Sequence, residues 1–254
     1  NIDIIIHAAA MKHVPICEYN PNEAKKTNFY GTRNIVKAAI KNKVKKLLFI
    51  STDKVVNPTS LMGKTKLNAE KLILKSNDKK INKHTELSVI RFGNIIGSRG
   101  SVLIKFLDQI KNKNNLTITS KEMTRFFITI NHAVNKIINC ISIMKGSEIF
   151  IIKNMNAIRI YDLALALKNF FKLNKKIVFE GLREGEKIYE ELLKKNEIKN
   201  SYINKDFIIT EHSKIYKTKY INDNMINSSR ANILNEKEII KFLLQSKLVK
   251  KNEY

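Results

Sequence analysis

The run Lys46-Leu47-Leu48-Phe49-Ile50 is short and apolar. It is closed at once by Ser51-Thr52-Asp53-Lys54, and a helical pattern follows over Lys64 to Leu74. An apolar run of this length bounded by polar residues reads as a buried strand rather than a helix. Strands followed by helices need crossovers, and crossovers build a parallel sheet. Ile2 to Ala10 and Leu87 to Phe92 are further strands of the same kind. The chain is therefore constrained to an α/β sheet. A hydroxyl, a carboxylate and an ammonium (Thr52, Asp53, Lys54) then sit where a strand stops, the edge at which open α/β sheets bind ligands. Lys66 lies one helical turn beyond Met62, so the two share a helix face.

Ile2 to Ala10 reads as a central parallel strand ending in small residues. Pro21 and Glu23 open a helix through about Ala39, with proline and acid in its first turn. Asn28 lies inside that helix, where asparagine is a poor former, and this marks it as a site residue. Gly93 to Ser101 is a glycine-punctuated loop whose exposed amides and Arg99 suit a phosphate; it is not a G-x-G-x-x-G fingerprint. Val102 to Lys111 is helical, Leu116 to Thr119 and Arg125 to Thr129 are strand-like, and Asn131 caps a helix through Met144. Glu148 to Ile152 and Ile177 to Phe179 are strands flanking a helix over Ile160 to Phe171. Tyr202 to Thr210 and Tyr216 to Tyr220 read as strands, and Asn235 to Leu244 as a final helix.

The formal net charge of +24 by itself admits a nucleic-acid or membrane-surface partner. The lysines are spread along the whole chain rather than gathered into one arm, so they read as a solvated surface. No nucleic acid is expected as partner. Cys17 and Cys140 have no metal spacing and read as reduced thiols of a cytoplasmic protein; no metal is expected. No apolar run approaches the ~18 residues of a membrane span. The chain begins at Asn1, inside a strand and without Met, as a fragment would, and a membrane anchor upstream stays open.

Several stretches carry a resemblance. Ser51-Thr52-Asp53-Lys54 followed by Met62-Gly63-x-x-Lys66 joins His7-Ala8-Ala9-Ala10, Lys12-His13-Val14-Pro15, Arg91-Phe92-Gly93-Asn94 and Gly97-Ser98-Arg99-Gly100-Ser101-Val102. Met123-Thr124-Arg125-Phe126 and Arg183-Glu184-Gly185-Glu186-Lys187 follow in order. Together they resemble the extended short-chain dehydrogenase/reductases, and among them the UDP-N-acetylglucosamine 4,6-dehydratases that carry Met where most relatives carry Tyr. The resemblance implies a Rossmann-like doubly wound sheet without its first strands, plus a small α+β substrate domain. Residues 1–94 would be the later part of the NAD(P)-binding domain, 95–194 mainly the UDP-sugar domain, and 195–254 a C-terminal extension. A homo-oligomer is implied for the full-length protein.

The resemblance also implies the chemistry: water is removed from a UDP-sugar with no net redox change, using NAD(P). Asp53 would protonate the leaving C6 hydroxyl, Lys54 would take the C5 proton, and Thr52 would bond the 4-hydroxyl. His7, Ala8, Ala9, Asn28 and Lys66 would face the cofactor. Lys12, His13, Asn94, Ser98, Arg99, Ser101, Arg125, Arg183 and Glu186 would face the substrate. A thioether carries no proton, so Met62 leaves the oxidation base open among Asp53, Lys66 and a water relay. A sister activity that also inverts C5, and a non-catalytic UDP-sugar-binding remnant, remain the alternatives.

Overall fold

The computed structural model describes residues 2–211, 215 and 221–250. Its strands are β1 (Ile4–His7), β2 (Lys46–Ile50), β3 (Glu86–Arg91), β4 (Asn94–Ile95), β5 (Leu116–Ile118), β6 (Thr124–Ile128), β7 (Glu148–Ile152), β8 (Asn156–Arg159), β9 (Ile177–Phe179), β10 (Ser201–Ile203) and β11 (Phe207–Glu211). Its helices are α1 (Val14–Tyr19), α2 (Pro21–Lys25), α3 (Thr32–Lys41), α4 (Leu61–Lys75), α5 (Val102–Lys111), α6 (Ile130–Ile143), α7 (Ile160–Phe170), α8 (Lys195–Ile198), α9 (Asp223–Ile226) and α10 (Glu236–Gln245). The chain forms two compact units that interleave in sequence. The first takes 1–92, 134–153 and 191–222, and the second takes 93–133, 154–190 and 223–254.

The first unit is built on a six-stranded sheet in the order β1-β2-β3-β7-β11-β10. The first four strands run parallel, and the β10–β11 hairpin adds antiparallel to β7. Leu47, Leu48, Phe49, Val89, Ile90 and Ile149 to Ile152 are buried in its centre, so these strands read as unbroken apolar runs. β1 pairs only with β2 among the described strands, and Ile4 and Ile6 stay half exposed, as expected of a doubly wound sheet without its first strands.

Proline and acid do start α2, yet the helix does not run regularly to Ala39. Residues Lys26–Gly31 form a π-turn between α2 and α3, centred on Asn28. Asn131 lies inside α6 rather than at its cap. Asn235 does cap α10, accepting from Glu238 N while Glu238 returns a bond to Asn235 N. Ser201–Glu211 is a hairpin rather than one strand, turned by Asn204 accepting from Asp206 N and Phe207 N. The expected strand over 216–220 falls outside the described residues.

The second unit holds the sheets β4-β6-β8 and β5-β9. Its core is Phe106, Leu107, Leu163, Leu167 and Phe127, closed by Ile239, Phe242 and Leu243 of α10. Gly93 is required here. A Cβ on it would lie 2.6 Å from Phe126 O, so only glycine lets β4 approach β6 this closely.

Candidate active site

In the first unit, β2 ends into a short 3₁₀ turn, Asp53–Val55, for which Thr52 is the N-cap. Two backbone bonds seat this stretch on β3: Ser51 N donates to Ile90 O at 2.8 Å, and Asp53 N to Phe92 O at 3.2 Å. The Asp53 side chain is fully buried, and its Oδ1 accepts from Thr52 Oγ1 and from Lys54 Nζ, each at 2.9 Å. Its other oxygen, Oδ2, is buried with no partner among the described residues. Hydroxyl, carboxylate and ammonium are thus one connected group. The carboxylate keeps an acceptor in a dry site, where leaving it unmatched is costly.

Ser60 caps α4 by accepting from Gly63 N at 3.2 Å. A Cβ on Gly63 would lie 2.4 Å from Lys54 O, so glycine is what lets α4 press against the Asp53–Val55 turn. Met62 is buried against Cys17 and Ala24, with Met11, Val14 and Leu61 around them. Lys66 is buried too: its Nζ donates to Ile50 O at 2.6 Å and sits 4.2 Å from the centre of the Phe49 ring. Burial lowers its pKa to about 8, against the upward pull of Glu70. His7, at the end of β1, bonds Thr32 Oγ1 at 2.9 Å; burial lowers its pKa, and the Lys66 charge adds to this.

Asn28 explains the π-turn. Its Oδ1 accepts from Met11 N at 2.8 Å, and its Nδ2 donates to Met11 O and to Thr65 Oγ1 at 3.1 and 3.0 Å. Thr65 Oγ1 in turn donates to Met62 O at 2.9 Å. The asparagine therefore ties the loop after β1 to the helix of Met62 and Lys66, and π-turns recur where a helix re-aims one side chain. Ala8, Ala9 and Lys12 are exposed in that loop, and His13 is the residue before α1.

The remaining expected residues lie in the second unit. Asn94 opens β4. Ser98, Arg99 and Ser101 form two successive turns, with Gly97 and Gly100 at φ 72° and 68°. Two of the amides expected to be open are spent inside this loop: Ser98 N donates to Ile95 O at 3.2 Å, and Ser101 N to Ser98 O at 2.9 Å. Arg99 is exposed. Arg125 departs from a simple phosphate ligand. It is buried on β6 and donates to Thr124 O, Ile188 O and Lys187 O, with Glu190 3.8 Å away. Arg183 and Glu186 form a tight turn, in which Arg183 N donates to Glu186 Oε2 at 3.1 Å; Arg183 is exposed and paired with Glu180. Arg125 thus secures the carbonyls that immediately follow the Arg183 turn.

The polysaccharide biosynthesis protein family matches residues 1–212. The chain belongs to this family. An uncharacterized membrane protein of Methanocaldococcus jannaschii is 43% identical over 95% of this chain and 74% of its own length. The inverting UDP-N-acetylglucosamine 4,6-dehydratase of Campylobacter jejuni is 43% identical over 80% of this chain, and the chain spans 59% of that relative. A UDP-glucose 4-epimerase of Rickettsia canadensis is 43% identical over 76% of the chain and 56% of its own length. Among solved structures, Pen from Bacillus thuringiensis matches with TM-score 0.91 at 39% identity, over 98% of this chain and 77% of that one. The fold is also that of a Streptomyces venezuelae dTDP-glucose 4,6-dehydratase solved with NAD, at TM-score 0.67 and 16% identity, over 73% of this chain and 63% of that one.

In this polysaccharide biosynthesis chain, sequence reasoning passed over one cluster: Glu70, Arg91 and Glu197, all buried, with Arg91 paired to both carboxylates. A signal was present. Glu70 interrupts the buried face Met62, Lys66, Ala69, Ile73, and Arg91 ends an apolar strand; charges in such places need partners. Among the described residues no group of His, Cys, Asp and Glu is placed to hold a metal ion, and no helix is long and apolar enough to cross a membrane.

Proposed function

We propose that the protein is an NAD(P)-dependent nucleotide-sugar 4,6-dehydratase of polysaccharide biosynthesis, acting on UDP-N-acetylglucosamine. The observation that carries this is the hydrogen-bonded Thr52–Asp53–Lys54 group at the end of β2, with Asp53 buried and its Oδ2 without a partner among the described residues. The elimination needs an acid and a base side by side. Lys54 Nζ and Asp53 Oδ1 are hydrogen-bonded at 2.9 Å, so one proton can pass between them. With that proton on Asp53, the amine of Lys54 takes the proton from C5, and Asp53 gives its own to the departing C6 hydroxyl. The step leaves Lys54 as ammonium and Asp53 as carboxylate, and return of the proton across the same bond resets the pair. Thr52 Oγ1 turns from Asp53 to the sugar 4-hydroxyl.

The donor set fits a dinucleotide at this end of the sheet. Lys66 is an ammonium with three donors and has one hydrogen-bond acceptor, Ile50 O, among the described residues. It keeps donors for ribose hydroxyls, and Ala8 and Ala9 after β1 are small and exposed. The nicotinamide, when bound, would supply the oxidation at C4 and the matching reduction at C6. Met62 lies in an apolar cluster and moves no proton. In the second unit, the exposed Arg99 and Arg183 suit a diphosphate, and Arg125 holds the Arg183 loop in shape. Asn94, Ser98, Ser101 and Glu186 are proposed as further substrate contacts.

The test incubates the full-length protein with UDP-N-acetylglucosamine and NAD+ and follows the sugar by NMR. A C6 methyl signal beside a 4-ketone is the expected result. A 4-epimer with no methyl signal would support the epimerase reading that the Rickettsia relative suggests. The Campylobacter relative favours a second reading, in which C5 is also inverted. The C5 coupling pattern separates the two.

A further inference from the structure

Arg91 takes no part in the chemistry above, yet it is the most enclosed cation among the described residues. It sits at the end of β3. Its Nε and Nη2 donate to Glu70 Oε1 and Oε2 at 2.9 and 2.8 Å. Its Nη1 and Nη2 donate to Glu197 Oε2 and Oε1 at 2.9 and 3.0 Å, and Nη1 also reaches Leu192 O at 3.3 Å. Both carboxylates are buried. Such an ion triad adds little net stability over apolar residues of similar volume, so folding alone does not call for it.

Its surroundings do. The residues on either side of Arg91, Ile90 and Phe92, supply the carbonyls that seat Ser51 and Asp53. Glu70 lies one turn beyond Lys66 on α4 and shares its face. Lys66 nevertheless gives its hydrogen bond to Ile50 O. We propose that Arg91 is a positioning residue: by taking both oxygens of Glu70, and being held in turn by Glu197, it keeps that carboxylate off Lys66 and ties the Lys66 helix to the strand that seats Asp53. The role depends on the guanidinium fork, which binds two carboxylates in plane; an ammonium cannot do so.

The electrostatics agree with the geometry. The charged group acting on Lys66 is Glu70 on its own helix, which Arg91 pairs, and Lys66 in turn lowers His7 on β1. Burial lowers Lys66, and Glu70 pulls it back up. Without Arg91 a cation is lost nearby and Glu70 is freed, and both changes raise the proton affinity of Lys66. This inference rests on reading Lys66 as a ligand-facing lysine. Its readout is the titration of Lys66 itself, so loss of activity and loss of the clamp are told apart.

The experiment is a ¹³C NMR titration of the lysine ε-carbons in the full-length protein, with the Lys66 signal assigned by Lys66→Gln. Arg91→Met should raise the Lys66 midpoint by about one pH unit or more, tenfold in proton affinity. Glu70→Gln should lower it, and Arg91→Met with Glu70→Gln should bring it back to the wild-type value or below. An unchanged midpoint in folded Arg91→Met, or a rise that persists in the double variant, overturns the proposal. Should Arg91→Met fail to fold, Arg91→Lys keeps the charge and loses the fork. It should show a smaller rise, and no rise overturns the proposal equally.

Discussion

Asp53 is the residue on which the proposed chemistry turns, because its Oδ1 accepts from both Thr52 Oγ1 and Lys54 Nζ. Asp53→Asn and Lys54→Met should each lower turnover by about 10²–10⁴-fold, the usual worth of an acid–base group. UDP affinity, measured by calorimetry, should barely move. Near-full activity in both would remove the assignment. Two arginines of the second unit, Arg125 and Arg183, separate. Arg183 is exposed, so Arg183→Ala should raise KM more than it lowers kcat, the pattern of contacts made equally in ground and transition states. Arg125 is buried among carbonyls, so Arg125→Ala should also lower Tm, and a KM effect without one would return it to direct substrate contact. His7 sets a pH effect. Its folded pKa is lowered from 6.5, so on acidification the unfolded chain takes the proton first. Stability is full above that value and falls as pH drops towards the folded pKa. The urea midpoint of His7→Gln should therefore fall less steeply below pH 6.5 than that of the wild type.

Among the elements, α4 is the one whose placement matters most. It carries Met62, Lys66 and Glu70 on a buried face and begins beside the Asp53–Val55 turn. Gly63→Ala puts a methyl 2.4 Å from a backbone oxygen, where no flexible side chain can yield. Overpacking of this kind costs about 1–3 kcal/mol, and the strain falls on Lys54 O. Turnover and Tm should both drop; a variant with wild-type Tm and full activity would show that α4 need not lie so close. The length and start of α4 were partly readable, since its apolar period begins near Lys64. The π-turn at Lys26–Gly31 was not. Asn28 stood out as a poor helix former, but its bonds to Met11 and Thr65 reach 17 and 37 residues along the chain.

For the chain as a whole, the residues proposed to face a dinucleotide, His7, Asn28 and Lys66, all belong to the first unit, and these 254 residues contain no G-x-G-x-x-G loop. A dinucleotide is held mainly through its pyrophosphate at a helix N-terminus. Expressed alone, these residues should bind NADH only weakly, while UDP affinity survives through the second unit. The chain has no Trp, so NADH fluorescence can be titrated without tryptophan background. Micromolar NADH affinity would falsify the dependence on a phosphate loop.

Local pattern alone gives the parallel α/β class, the strand-end group Thr52, Asp53 and Lys54, and most helices and strands, including Val102–Lys111 with its bounds. These follow from periodicity and from short-range turn chemistry, which a linear reading can see. What required the folded chain is everything that joins distant residues. The interleaving of two units, the commitment of Arg125 to carbonyls some sixty residues away and the Arg91 clamp across Glu70 and Glu197 all belong here. A buried charge announces that it needs a partner, but which partner depends on which elements the sheet order brings together.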